Sequence, residues 1–296
     1  MKTVTLKIKA PAKVNFVLEV VGRRPDGYHD LVSVMQALEL ADELTLTRTG
    51  SGVEVRCDHP EVPVGPGNIA YRAAEAVLRE GGFSGGVSIH IKKVIPVAAG
   101  LGGGSSDAAA AMKGVAMLYG LEIPRGRMAD IALGLGADVP FFLSWPCALA
   151  QGVGERLTEL PPTEETWIVL VKPPFGVSTA WVYSQLNLGL TNTYNSITLP
   201  PFEGRPLNAG TLVSCLRNDL ERVTVSKYPL IKEIKERLLE TGAVAAMMSG
   251  SGPTVFGVYR DRAGAEASAR SLDGAGWAVH VTRTILAWPE PERAPG

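Results

Sequence analysis

The stretch PVAAGLGGGSSDAAAAM, residues 96–112, restricts this chain more than any other, because it sets Gly100, Gly102, Gly103 and Gly104, then Ser105 and Ser106, directly before a run of alanines. Where no Cβ stands in the way, backbone N–H groups can approach an anion closely. The alanine-rich segment from Ala108 onward predicts a helix whose first N–H groups lack partners and lie at the positive end of the dipole, so Ser105 and Ser106 open an anion site. This pattern fits a phosphate cradle. It also fits a flexible strand-to-helix turn in which the serines only cap the helix. A P-loop is ruled out, since it requires Gly-Lys and that dipeptide occurs nowhere in the chain. The loose dinucleotide match GPGNIA at Gly65 follows the proline-broken HPEVPV, so the strand that such a fingerprint needs is missing.

Upstream, TVTLKIKA and KVNFVLEV alternate apolar and polar residues, which predicts two half-buried strands. That period places Lys13 and Asn15 side by side on the face opposite Val14, Phe16, Leu18 and Val20. GRRPDGYHD reads as an exposed turn carrying Tyr28 and His29, and residues 31–56 read as further strands. NIAYRAAEAVLREGG predicts a helix opened by Asn68 and closed by Gly81 and Gly82, and GVSIHIKK predicts the strand that leads into the glycine stretch.

A chain of 296 residues is long for one core and comfortable for two. PPTEET, residues 161–166, reads as the connector, which divides the chain into domains 1–162 and 163–296. Beyond it come a strand (WIVLVKP), a short helix (STAWVYSQL), a polar loop over 187–206, an amphipathic helix (YPLIKEIKERLLETG) and a strand (AVAAMM). The glycine turn SGSG then leads into another strand, a helix over 263–272 and a closing strand over 278–286. The order strand, helix, strand, strand, helix, strand is ferredoxin-like, with one helix added.

Lys and Arg total 29 against 30 for Asp and Glu, so no basic field exists to hold nucleic acid or an anionic membrane, and a small-molecule partner is expected. Cys57, Cys147 and Cys215 are far apart with no CxxC pair, and His59, His90 and His280 match no metal spacing. Lysines interrupt the N-terminal apolar run, and Pro140 and Pro146 break the apolar stretch that they border, so neither a signal peptide nor a membrane span is expected and the chain reads as cytoplasmic.

The glycine stretch resembles the Pro-x3-Gly-Leu-Gly-rich-Ser-Ser motif of the GHMP kinases, ATP-dependent kinases of galactose, homoserine, mevalonate and phosphomevalonate type. The resemblance spans the chain. PAKVNFVLEVVGRRPDGYHDL and SGSGPTVFG are similar to the first and third motifs of a branch whose substrate is a cytidyl diphospho sugar alcohol, and LGADVPFFL and NDLE also match it. One departure is Ala98, where many GHMP kinases carry glycine. The resemblance implies a two-domain α+β GHMP kinase fold, a ribosomal protein S5-like N-terminal domain followed by a ferredoxin-like C-terminal domain. ATP with Mg2+ would be bound, as a monomer or homodimer, and rival readings are another alcohol substrate or a nucleotide-binding sensor.

By the same resemblance, Asp138 is the general base and Lys13 keeps its carboxylate ionised and neutralises the moving phosphate. As bare sequence, Asp138 is also a plausible N-cap before Pro140. Nucleotide contacts fall on Pro96, Val97, Ala98, Ala99, Gly100, Leu101, Gly102, Gly103, Gly104, Ser105 and Ser106, with Lys93 and Asn68 near the adenine or ribose, unless these two only end a strand and cap a helix. Tyr28, His29 and Tyr183 fall to the cytidine, with Tyr28 and Tyr183 sandwiching the base; the spacing of Tyr183 fits a core role equally well. Asn15 is a hydrogen-bonding partner for substrate or lysine, or a polar strand residue. Asp107 favours the helix dipole and would stand beside phosphates only with Mg2+ nearby; no residue is assigned as a metal ligand.

Overall fold

The computed structural model of the chain describes residues 4–161, 164–186 and 214–294. The expected loop over 187–206 lies outside them, as do residues 162 and 163 of the connector. The two expected N-terminal strands are one continuous strand, β1 (Thr5–Arg23), which pairs antiparallel with β2 (His29–Thr49). Pro11 does not break β1 because the pairing shifts register there, and a proline at a bulge forfeits no ladder bond. β1 is buried on both faces over its central part, which its near-continuous burial from Ala10 to Val17 records.

β3 (Val53–Cys57) and β4 (Gly86–Lys92) extend this sheet beyond β2, and β5 (Cys147–Gly152) and β6 (Arg156–Glu159) add to it through β2. α1 (Ile69–Glu80) and α2 (Gly103–Tyr119) cover one face, and Leu44, Leu46, Ile89 and Ile91 pack there against Ala73, Val77, Ala108 and Met112. Asn68 caps α1 as expected, accepting from the Ala70 N–H at 2.8 Å. α2 starts five residues before the expected Ala108, at Gly103. Its glycines are poor helix formers, but Gly103 fits against Ile95 where a side chain would be crowded, so packing overrides propensity. α3 (Arg125–Leu135) and the short α4 (Val139–Leu143) follow.

A second sheet is built from β7 (Trp167–Lys172), β9 (Ala245–Met248), β10 (Val255–Tyr259) and β11 (Ala278–Arg283), all antiparallel neighbours in the spatial order β11-β7-β10-β9. That is the ferredoxin-like arrangement. α5 (Thr179–Ser184), α6 (Asp219–Lys227), α7 (Leu230–Glu240) and α8 (Arg262–Leu272) accompany it, and Ile231, Ile234, Leu238 and Leu272 pack on its outer face. The NDLE segment, which carried no secondary-structure expectation, begins α6. Two late strands cross back to β1: β8 (Arg217–Asn218) runs parallel to Val17 and Leu18, and β12 (Glu292–Ala294) pairs with Thr5–Lys7.

The inner face of the second sheet meets β1 directly. Ile168, Leu170, Phe256 and Val258 pack with Val14, Phe16, Ala99 and Leu101, so the glycine stretch is rooted in the core between the two sheets. Burial at this junction, roughly 1.5–3 kcal/mol for each large apolar side chain, is what holds the loop in place. Among the described residues, no helix is long and apolar enough to cross a membrane.

Candidate active site

The loop from β4 to α2 is held at several backbone points. The Lys13 N–H donates to Leu101 O at 2.9 Å, which ties the loop to β1. Gly100 and Gly102 are both left-handed, at φ 76° and 72°. A Cβ on Gly102 would lie 2.9 Å from the Phe142 ring and 3.1 Å from Lys13 Cγ, so its bare backbone lets the lysine pass. Ala98, the departure from the family pattern, is left-handed too, at φ 50°. Glycine at that position suits a conformation that costs an alanine on the order of 1 kcal/mol.

Lys13 is the centre of the polar site. Its side chain is only 5% exposed, and Nζ lies 3.5 Å from Asp138 Oδ2. It also donates to Asn15 Oδ1 at 2.7 Å, Asn15 Nδ2 donates to Ser33 Oγ at 2.8 Å, and Ser33 donates to Val17 O at 2.7 Å. This chain fixes the direction of the ammonium. Asn15 is therefore the partner of the lysine, and Ser33, which has no sequence signal beyond a lone serine in a strand, anchors both. Asp138 occupies the N-cap position of α4 but makes no capping hydrogen bond. Its carboxylate is left to face Lys13.

Lys13 and Asp138 lie in a cavity of about 1330 Å³, which also receives Asn15, Tyr28, His29, Tyr183, Asn68, Lys93 and every residue from Pro96 to Ser105. That volume exceeds the ~300–1,000 Å³ typical of one small-molecule site and leaves room for two ligands. Ser106 is the exception among the expected contacts. It is buried away from the cavity, with its hydroxyl unpartnered, because the early start of α2 turns it inward.

Asn68 and Lys93 line the cavity but are already occupied. Asn68 caps α1 and donates to Pro63 O at 2.8 Å. Lys93 Nζ is held between Asp42 Oδ2 at 2.5 Å and Asp107 Oδ2 at 2.8 Å. Burial pushes the Lys93 ammonium down, but Asp107 and Asp42 outweigh it and raise it overall. Burial also lifts the Asp107 carboxyl, to about 8, against the pull of Lys93 and with Asp42 adding to the rise. Asp42 escaped the sequence reading. It is fully buried and accepts from the Val94 and Ile95 N–H groups at 2.6 and 2.8 Å, fixing the entry to the loop.

At the other end of the cavity the ring contact is between His29 and Tyr183, 5.2 Å apart and tilted by 34°, while Tyr28 is 65% exposed at the tip of the β1–β2 turn. Burial, then the nearby Arg23 charge, lowers the His29 pKa and so favours the uncharged imidazole. Burial and then the Asp138 charge raise the Tyr183 phenol. Arg24 braces the turn, donating to Asp30 at 2.7 Å and reaching Glu155 at 3.5 Å.

The SGSG turn closes the cavity from the second sheet. Ser249 Oγ donates to Gly100 O at 3.0 Å, the Thr254 N–H reaches Ala99 O at 3.4 Å, and the hydroxyls of Ser251 and Thr179 meet at 2.8 Å. NDLE holds the turn from behind. Asn218 Nδ2 donates to both Met248 O and Gly250 O, at 2.9 and 2.8 Å, Asp219 accepts from the Val20 N–H at 2.8 Å, and Glu221 accepts from the Met248 N–H at 2.9 Å.

Residues 68–144 match the model of the GHMP kinases N terminal domain, and residues 204–277 that of the GHMP kinases C terminal region. A 4-diphosphocytidyl-2-C-methyl-D-erythritol kinase of Geobacter metallireducens is 49% identical over 288 residues, 97% of this chain and 100% of the relative. The chain belongs to the GHMP kinase family. A protein of the same name from Pelobacter propionicus is 50% identical over 96% of this GHMP kinase and 100% of its own length. A crystal structure of 4-(cytidine 5'-diphospho)-2C-methyl-D-erythritol kinase shares 35% identity at a TM-score of 0.78, covering 94% of this GHMP kinase and 98% of that chain. Homoserine kinase from Cytophaga hutchinsonii, 18% identical, aligns at a TM-score of 0.73 over 98% and 97% of the two chains and so shares the fold. The expected two-domain α+β GHMP kinase architecture is thus met.

Proposed function

We propose that this GHMP kinase transfers the terminal phosphoryl group of ATP to the 2-hydroxyl of 4-diphosphocytidyl-2-C-methyl-D-erythritol, a step of the nonmevalonate isoprenoid pathway. The observation that carries the reading is the Lys13–Asp138 pair at 3.5 Å, in one cavity with the glycine loop and the His29–Tyr183 pair. The relatives that share nearly the full length bear the name of that activity.

In this mechanism the bare amides from Gly100 to Ser105, which include the first turn of α2, cradle the triphosphate. Asp138 accepts the proton of the attacking hydroxyl, and Lys13, held by Asn15, offsets the charge on the transferring group. Tyr28, His29 and Tyr183 take the cytidine, while Pro96 to Ala99, with Asn68 and Lys93, border the nucleoside of ATP. Ser106 would act only through the first turn of α2, to which it belongs.

Mg2+ fits this site as an ion on the triphosphate. The oxygen donors beside the loop are Ser105 and Asp107, and Asp107 Oδ1 has no hydrogen-bond partner among the described residues. One or two carboxylates plus phosphate oxygens are the usual Mg2+ environment. When bound, the ion would neutralise phosphate charge. The nucleotide falls in domain 1–162 and the acceptor between it and domain 163–296. The near-balanced charge supports a small-molecule partner, without nucleic acid or membrane; the working compartment of this reading is the cytoplasm.

The test is to incubate the protein with MgATP and a panel of alcohols that includes 4-diphosphocytidyl-2-C-methyl-D-erythritol, homoserine and mevalonate. Phosphorylation of the cytidyl alcohol alone is the expected result, and preference for any other alcohol sinks the proposal.

A further inference from the structure

Four basic side chains line the cavity: Lys13, Arg23, Arg24 and Lys93. Three are committed to protein partners. Lys13 is held by Asn15 and Asp138, Lys93 by Asp42 and Asp107, and Arg24 by Asp30 and Glu155. Arg23 differs. Its guanidinium makes no ion pair or hydrogen bond with any described residue, although it lies at the end of β1 as the cross-strand partner of His29. Its charge is felt by that ring. Asp26, the acid within the turn, faces the backbone and accepts from the Tyr28 N–H at 3.0 Å.

We infer that Arg23 binds the diphosphate of the cytidyl substrate and so distinguishes a cytidine diphosphate ester from an uncharged cytidine. The inference rests on the proposed function. An acceptor with a base at one end and a reacting alcohol at the other carries its diphosphate next to the nucleoside, and Arg23, level with His29 on the β1–β2 ladder, lines that end of the cavity. The glycine loop is taken by the phosphates of ATP. A guanidinium offers two parallel N–H donors to a phosphate, which suits this task better than a point charge. His29, paired across the ladder with Arg23 and in ring contact with Tyr183, offers its ring nitrogens to the polar edge of a pyrimidine, and Arg23 supplies the unpaired guanidinium at this end. Because Arg23 is exposed, its contribution is screened, and about tenfold in diphosphate affinity is the expected scale.

Competitive inhibition by cytidine, CMP and CDP against the cytidyl substrate tests this in the wild type, R23Q and R23K. In R23Q the advantage of CDP over cytidine falls about tenfold and the KM for the cytidyl substrate rises in parallel. Cytidine inhibition and the KM for ATP do not move, which a general loss of structure would not allow. R23K recovers part of the CDP advantage. The CDP affinity of the wild type also falls with added salt more steeply than that of R23Q. An unchanged CDP-to-cytidine ratio in R23Q overturns the role of Arg23 and leaves the proposed function standing. A wild type that neither phosphorylates the cytidyl alcohol nor is inhibited by cytidine overturns both.

Discussion

The hydroxyl of Ser249 donates to the carbonyl of Gly100 at 3.0 Å, joining the turn of the second sheet to the loop of the first across 149 residues of chain. A Cβ on Gly100 would lie 2.3 Å from Ser249 O, and φ there is 76°. Gly100→Ala is therefore expected to cost at least about 1–2 kcal/mol from the left-handed backbone, before any displacement of the turn is counted. Thermal unfolding and nucleotide titration check this. A variant with wild-type melting temperature and ATP affinity would show that the contact is dispensable.

Removing the acid should stop the chemistry and spare the nucleotide. Asp138→Asn is predicted to lower kcat by about 10²-fold or more, the usual scale for a positioned acid or base, with ATP still bound. Asp138 is 35% exposed and makes no cap, so the substitution leaves α4 without a lost hydrogen bond. Steady-state kinetics with circular dichroism separate loss of turnover from loss of fold. Near-full turnover would take Asp138 out of the mechanism.

The aromatic end carries its own expectation. In the double variant Tyr28→Ala, Tyr183→Ala, the KM for the cytidyl substrate should rise about tenfold or more, since stacking of a base on an aromatic ring is worth about 1–3 kcal/mol. The KM for ATP should hold. Because His29 rather than Tyr28 contacts Tyr183 in this structure, Tyr183→Ala alone should also loosen His29. An unchanged KM for the cytidyl substrate would contradict stacking.

Lys113 gives a pH-dependent stability. It lies on α2 and donates to Phe142 O at 2.7 Å with Nζ 5.1 Å from the centre of the Trp288 ring, and burial lowers its pKa from 10.5 to about 8. Between these values the unfolded chain holds a proton that the folded chain has released, so this group makes stability rise with pH from about 8 towards 10.5. Urea midpoints across that range should climb more steeply for the wild type than for Lys113→Met. Parallel profiles would show that the amine is not depressed.

Much of this molecule is legible along the chain because the governing interactions are local. The Asn68 cap, the shared face of Lys13 and Asn15 and the strand-to-helix glycine loop all depend on residues within a few positions of one another. Alternation showed that β1 would be a strand, yet not that it would run unbroken through Pro11, because the register shift there depends on the partner strand β2. For the same reason α2 starts at Gly103 and not at the expected Ala108: Ile95, packed on Gly103, is a tertiary neighbour and overrules the weak propensity of glycine.

The sequence alone determined which residue types line the site: glycines for close approach, one lysine and one aspartate for charge, and aromatic groups on a turn. Only the tertiary structure decided which of them remain available. Asp42, 51 positions before Lys93, occupies that lysine, Glu155 reaches Arg24 from a separate strand pair to join its local partner Asp30, and Arg23 alone of the four cavity cations keeps its charge unpaired among the described residues. Partners so far apart along the chain are brought together by the packing of separate elements, and a local pattern carries no record of which distant charge will arrive.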